Sequence, residues 1–395
     1  MPTNKKVFPL LFIIVFFSCT KDEVEVPTLA DLGISAAVDA NAGSSYTNSK
    51  LDPVTRISYS TIPSGENSGN LRDAIAYLDA NHDGNTDVFM ATGEYLLAGE
   101  VDCILALNDG QNNFAISSAE FNGNMPPASH ARKTIKCDFN GDELADLMVF
   151  DHGYDSDPFP GNQIKLIMQA GPGSFTWTKL TDQTGFHHGG AGADIDNDGD
   201  IDVFVGGFDP FFYINDGSGN FEKVDNLFNR SMENIFTSEL IDVDGDGFVD
   251  LLTAAHEHEG DNTSIYWGSS KGSYSMDART IIPPVDGYGT VLDLDAEDLN
   301  GDGHRDLVVN RTGGGNANFY QGSWIQVLKN NKDRSFSDVT ISVVDDPGSG
   351  DYEWFPWIRI QDLDADGDLD IFPDNADVSF RLMNNGTPYW SRFID

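Results

Sequence analysis

The chain has 395 residues, 40 of them glycine, and carries 64 acidic against 23 basic side chains for a formal net charge of -41. Such an acidic excess disfavours unaided binding to nucleic acid or to an anionic membrane surface and makes cations the natural partners. A length that ordinarily suggests two or three domains also fits a single repeat architecture, so repeats are sought first.

The chain opens MPTNKKVFPLLFIIVFFSC, with Lys5 and Lys6 before an apolar run from Val7 to Phe17, then a small residue and Cys19. That run is too short to span a bilayer and has the layout of a secretory signal over residues 1–18. Its Phe-Phe-Ser-Cys end resembles a bacterial lipobox, which implies a lipid on Cys19. The following Thr20-Lys21-Asp22-Glu23 resembles the export signal of Bacteroidetes surface lipoproteins. These resemblances imply an outer-membrane, lipid-anchored protein exposed at the cell surface, touching the membrane only through its anchor. Residues 19–50 read as the lipidated cysteine and a flexible tether, and residues 51–395 as the folded part. Within 51–70, Arg56 to Ile62 reads as one strand, which either closes a ring against the last repeat or belongs to a degenerate extra unit. Cys103 and Cys137 are too few for a disulfide framework and lie in apolar segments, so buried thiols are expected over a single bridge.

From residue 79 onward one pattern, D-x-[DN]-x-D-[GE]-x-x-D, recurs six times at spacings of 48 to 64 residues. The copies are DANHDGNTD at Asp79, DFNGDELAD at Asp138, DIDNDGDID at Asp194, DVDGDGFVD at Asp242, DLNGDGHRD at Asp298 and DLDADGDLD at Asp362. Each is followed by a β-rich apolar run, a variable loop, and a strand ending in a turn such as LALNDGQNNF or FYINDGSGNF. Asn-Gly and Asp-Gly between apolar runs are hairpin signals. Each unit is therefore four strands: A before the acidic loop, B after it, C before the second turn, and D marked by an aromatic, namely Phe114, Phe175, Phe221, Tyr274, Phe336 or Tyr389. Four-stranded antiparallel units repeated radially make an all-β propeller of six to seven blades.

These repeats resemble the FG-GAP or VCBS repeats of bacterial surface proteins and of the integrin α-subunit propeller. The resemblance covers residues from about 71 to 395, and the family usually closes seven blades where six motifs are visible here. It implies calcium in the A–B loops, and the residue chemistry supports this independently. Calcium takes six to eight oxygens, which a loop supplies from alternate positions. Positions 1, 3, 5 and 9 are Asp79, Asn81, Asp83 and Asp87 in the first copy and Asp138, Asn140, Asp142 and Asp146 in the second. The third has Asp194, Asp196, Asp198 and Asp202, and the fourth Asp242, Asp244, Asp246 and Asp250. Asp298, Asn300, Asp302 and Asp306 follow, then Asp362, Asp364, Asp366 and Asp370. Position 6 is glycine except at Glu143, where the backbone must turn with positive φ. Position 12, the bidentate glutamate of an EF-hand, is never acidic here, so Asp at position 9 closes the loop and a strand follows at once. Asx-rich turns also form without metal. Three to five carboxylates crowded into each loop nevertheless repel one another unless a cation neutralises them. About one calcium per loop, up to six, is expected, as a brace and not as a catalyst.

Antiparallel alternation places every A–B loop and C–D turn on one face, leaving the non-repeating B–C loops and D–A crossovers on the other. Binding and catalysis usually sit in such loops. Six of the eight histidines map there: His130, His152, His187, His188, His256 and His258. Asp151, Asp209, Glu257, Glu259, Arg132, Arg311, Tyr154 and Trp354 accompany them. His187, His188 and His256 are candidates to meet at the central channel, where they can hold a transition metal or move protons. Phe208, Phe211, Phe212, Phe355 and Trp357, with Tyr154 and Trp354, can stack on sugars or pack between blades. There is no nucleophile elbow, P-loop or HExxH zinc motif. The expected function is recognition of a glycan or protein partner, with no nucleic acid. The alternatives are a polysaccharide lyase or hydrolase on the loop-rich face and a purely structural subunit.

Overall fold

A computed structural model describes residues 56–393 except 66–67, 70, 94–98, 181–182, 226, 229–233, 271, 315–318, 385 and 387–388. The segments expected to be a signal, a lipidated Cys19 and a tether lie outside the described residues. Six antiparallel sheets follow one another along the chain, each with strands in sequence order. Blade 1 is Leu71–Leu78, Asp87–Gly93, Ile104–Asn108 and Phe114–Ser117, and blade 2 is Ala131–Cys137, Asp146–Asp151, Lys165–Gly171 and Ser174–Lys179. Blade 3 comprises His187–Ala193, Asp202–Gly207, Phe211–Asn215 and Phe221–Val224, and blade 4 Thr237–Ile241, Asp250–Ala254, Ser264–Tyr266 and Thr280–Ile281. Thr290–Glu297, Asp306–Thr312, Ser323–Asn330 and Phe336–Asp338 form blade 5, with Gly348–Ser349 added to its third strand. Blade 6 is Ile358–Gln361, Asp370–Pro373, Arg381–Asn384 and Trp390–Phe393. The propeller thus has six blades.

Inner strands are covered by neighbouring blades on both faces and are buried almost throughout, charged residues such as Lys133, Glu239 and Asp293 included, whereas outer strands alternate or face solvent. Every residue of Asp146–Asp151 and Asp202–Gly207 is buried, while Phe221–Val224 is partly or fully exposed. The inner strand of blade 3, His-His-Gly-Gly-Ala-Gly-Ala, shows how tightly the blades approach. A Cβ at Gly190 would sit 2.3 Å from the Phe150 ring of blade 2, so the glycine makes room for that ring. Tyr274 precedes the outer strand of blade 4 and packs in the core beside Phe212 and Phe228, at ring centroids of 5.7 and 5.6 Å. Cys103 and Cys137 are buried free thiols, and burial pushes Cys103 up to about 12 and raises Cys137 further still, so neither is a nucleophile at neutral pH.

The segment at Arg56 to Ile62 is not a strand. Ile57 makes one parallel bridge to Asn375 of blade 6, and Tyr59–Thr61 is a single 3-10 turn. The hydroxyls of this Ser/Thr-rich stretch compete with a ladder, since Thr61 Oγ1 donates to Ser58 O and the Ser58 and Ser60 hydroxyls bond to Asp377. The segment still latches the ring. Arg56 donates to the carbonyls of Pro373, Asn375 and Val378, and Tyr59 Oη lies 2.8 Å from Tyr77 Oη of blade 1 and donates to Asp374 of blade 6 at 2.7 Å. Trp357 Nε1 adds a 2.6 Å bond to Asp73 O.

Candidate functional site

The acidic loops share one backbone design. In all six, the first Asp accepts the N–H groups of positions 5 and 6 at 2.8–3.1 Å. Position 5 accepts from position 7 in the same way, through Asp83, Asp142, Asp198, Asp246, Asp302 and Asp366. Both position 4 (φ +60 to +74) and position 6 (φ +66 to +100) are left-handed, and each Asx turn folds the carboxylates toward the loop centre. Position 6 is Glu143 in the second copy, held at φ +66. Glu143→Gly relieves that strain and one negative charge, and is expected to raise unfolding stability by about 1 kcal/mol, read by chemical denaturation.

The closing Asp anchors each loop to the blade. Its carboxylate accepts the N–H of a residue at or within two positions of the end of strand C: Asn108, Gln169, Asn215, Gly268, Asn330 and Asn384. In five loops it also accepts the N–H of position 2, and in the fifth copy Asp306 accepts instead from Asn300 Nδ2 at 2.6 Å. Burial, opposed by these N–H groups, pushes Asp87 and Asp370 up to about 6 and Asp146 and Asp202 up to about 7, and raises Asp250 and Asp306 too.

Three loops bring three carboxylates within 4.8 Å of one another: Asp194, Asp196 and Asp202; Asp242, Asp244 and Asp246; Asp362, Asp364 and Asp370. The other three carry an asparagine at position 3 (Asn81, Asn140 and Asn300), whose amide oxygen is an equally hard donor. An all-oxygen set of this kind fits a hard divalent ion. At the Asp242 loop a neighbouring blade contributes a cation of its own, because Arg334 donates to Asp244 at 2.6 Å and Asp246 at 2.9 Å.

On the opposite face the channel mouth opens into a cavity of about 520 Å³. Strand A of blades 1, 2, 3 and 5 each holds one extra residue relative to strand B, between Leu71 and Ala74, Ala131 and Lys133, His187 and Gly189, and Val291 and Asp293. A bulge of this kind re-aims a side chain. The residues in three of these bulges, Asp73, Arg132 and His188, line the cavity, and Leu292 from the fourth lines a small void beneath it. Arg132 pairs with Asp73 at 2.6 Å.

His130, His152, His188 and His256 line this cavity with the rings of Phe159, Phe186, Phe208, Phe236, Phe319, Tyr320 and Trp354. Rings run in contact around the wall: His256 to Phe236 at 4.5 Å, Phe236 to His188 at 3.8 Å, His188 to His152 at 5.0 Å, and His152 to Phe186 at 4.4 Å. Burial lowers the pKa of all four histidines, with Arg132 reinforcing the effect, so they are neutral at pH 7. Asp151, beneath the wall, braces it. Its carboxylate accepts the backbone N–H of Ser129, His130 and Gly153 at 2.8–2.9 Å, Asn162 Nδ2 at 2.8 Å and Lys165 Nζ at 3.0 Å.

Of the histidines expected to converge, His188 and His256 do so, joined by His130 and His152. His187 instead packs edge-on against Phe211 at 5.9 Å, and His258 stacks on His256 at 5.3 Å just outside the lining. Arg311 is wholly buried, bonding Glu257, Gln326 and the carbonyls of Tyr288 and Pro283. Tyr154 and Asp209 do not line the cavity; Trp354 and Phe208 do, and Phe211, Phe212, Phe355 and Trp357 are core. Sequence reasoning missed Phe159, Phe186, Phe236, Phe319 and Tyr320, and the brace role of Asp151. Their only signal is position in the non-repeating loops.

The profile of the FG-GAP-like repeat matches residues 138–205, 194–253, 242–309 and 298–372 in overlapping windows, together more than half of the chain. Each window begins at the first Asp of an acidic loop. No curated protein matches. Among solved structures, the V. cholerae biofilm matrix protein Bap1 is similar at 22% identity and a TM-score of 0.42, covering 72% of this chain. This chain spans only 41% of that one.

Proposed function

This chain belongs to the FG-GAP-like repeat family, and from that premise we propose that it is a calcium-braced recognition propeller, held at the cell surface by a lipid on Cys19, that takes a neutral glycan in its channel mouth. The observation that carries the reading is the cavity itself, whose seven aromatic side chains and four neutral histidines surround about 520 Å³. That volume lies in the range of small-ligand sites, where apolar walls supply contact and a few polar groups supply orientation. Sugar C–H faces stack on aromatic rings, and the histidines and the Asp73–Arg132 pair offer donors and acceptors to hydroxyls. Among the lining residues Asp73, Asp155 and Glu259 outnumber Arg132, which disfavours uronates and sulfated sugars and with them a lyase. Calcium in the acidic loops, held by positions 1, 3, 5 and 9 and the carbonyl of position 7, acts at the far face as a brace for this wall.

One observation favours the hydrolase alternative, since His256 Nδ1 lies 3.8 Å from Glu259 Oε2 at the cavity wall. Calorimetric titration against neutral oligosaccharides and their uronate-bearing counterparts separates the readings. Binding of a neutral sugar, weakened about tenfold by Trp354→Ala and by Phe208→Ala with the unfolding temperature unchanged, is the expected result; tenfold corresponds to about 1.4 kcal/mol, the scale of one lost ring contact. A protein domain bound with no glycan overturns the glycan reading. Sugar turnover abolished by His256→Ala replaces recognition with hydrolysis.

A further inference from the structure

We propose that the channel mouth holds a divalent transition-metal ion, of the zinc type, on His130, His152 and Asp155. One ligand atom from each of these three residues lies within 4.8 Å of the others. At ordinary Zn–N and Zn–O distances of about 2.0–2.2 Å the ligand atoms of a tetrahedral site stand about 3.4 Å apart, so the three side chains close on the ion by up to about 1.4 Å in mutual separation, within reach of small rotamer adjustments.

The tautomer is set for ligation. His152 Nδ1 lies 2.8 Å from Gly153 O; a carbonyl can only accept, so the proton sits on Nδ1 and Nε2 keeps its lone pair. Metal-bound histidines are oriented by this kind of backbone acceptor. His188 is prepared in the same way, with Nδ1 donating to Phe236 O at 2.8 Å and its ring stacked on His152 at an interplanar angle of 16°. It stands beside the triad as a reserve ligand.

The ligands are also fixed in place relative to each other. Asp151 Oδ1 accepts the N–H of His130 and the N–H of Gly153, each at 2.9 Å, so one buried carboxylate ties together the two segments that carry the histidines. Arg132 is close by, but its charge is matched by Asp73 at 2.6 Å. Two imidazoles and one carboxylate make a borderline donor set, which suits first-row transition metals; calcium and magnesium prefer all-oxygen sets. The molecule would then sort two classes of cation to two faces, hard ions at the acidic loops and a softer one at the mouth. Because all three residues line the cavity, the ion would face it with coordination positions open. The proposal stands whether or not the cavity takes a glycan.

A second group, His256, His258 and Glu259, also meets the 4.8 Å spacing. It lacks an equivalent of the Asp151 brace, and it serves as the internal control. The test is zinc titration of the purified protein in saturating calcium, with cobalt absorbance as a second readout. One equivalent of zinc per chain is expected, together with visible cobalt bands of a low-coordinate site. His152→Ala should abolish both, and Asp155→Ala should weaken zinc at least tenfold; Asp155 is exposed, so its loss leaves the fold intact. His258→Ala should change neither. Absence of zinc binding in saturating calcium, or equal binding in wild type and Asp155→Ala, overturns the proposal. So does loss in His258→Ala alone, which would place the ion on the other group.

Discussion

Chelating calcium is expected to lower the unfolding temperature by roughly 20 °C, the largest single effect open to experiment on this molecule. An ion bound only by the native state contributes about 2.7 kcal/mol at one hundred times its dissociation constant, and six loops share one design. The effect should depend on pH in opposite senses with and without the ion. In the calcium-free protein Asp87 and Asp370 titrate at about 6 and Asp146 and Asp202 at about 7, above the model-compound value of 3.8, chiefly because they are buried. A raised folded pKa adds stability that is complete below the unfolded pKa and is lost as pH climbs through the folded value. Chelated protein should therefore melt higher at pH 5 than at pH 8. Calcium needs the ionised carboxylates, so its added stabilisation should grow across the same interval. Differential scanning calorimetry in calcium and in chelator at both pH values reads all four states. An unfolding temperature indifferent to chelator sinks the calcium assignment.

Asp151→Ala should destabilise the fold by about 3–5 kcal/mol, because Lys165 is left as a wholly buried charge whose remaining partner is the partly exposed Glu100 at 3.1 Å. Although burial works to raise the Asp151 pKa, Lys165 and the three backbone N–H groups hold it below the ordinary carboxylate value. Adding Lys165→Met to Asp151→Ala should recover much of the loss, since removing both members of a buried pair costs far less than removing one. Ligand binding should not recover with it, because the His130 and Gly153 amides stay untied and the cavity wall loses its set. Denaturant titration of the single and double variants, with binding measured on both, separates the two roles. Equal recovery of stability and binding would falsify the brace role.

The repeated part of this protein is legible in its sequence because a loop that must crowd oxygens has few solutions. Asp at alternate positions, a left-handed residue at position 6 and a closing Asp all announce themselves, and four-stranded units follow from spacing and turns. The left-handed position 4 was harder to see, since His82, Asn197 and Ala365 stand there beside three glycines. The binding face was legible only as a region. Which of two adjacent histidines meets the channel depends on a one-residue bulge between His187 and Gly189, and a shift of one position in a strand exchanges its two faces. Nothing local marks that bulge. The aromatic wall was hidden for a related reason: Phe186, Phe236 and Phe319 come from three different crossovers and loops, and only closure of the ring puts them together. The count of six blades likewise waited on seeing the Arg56 to Ile62 segment spent on the seam between the first blade and the last.

That seam also decides how the molecule answers a pull. A lipid on Cys19, as proposed above, would transmit drag on the propeller through residue 56, where the Arg56 guanidinium grips three carbonyls of the last blade and Ile57 holds a single bridge to Asn375. Tension there loads one bridge and a handful of side-chain bonds, whereas unravelling a blade must break the ladders that join four strands. The latch would therefore act as the mechanical fuse of the ring, yielding first under flow while each blade keeps its own hairpins.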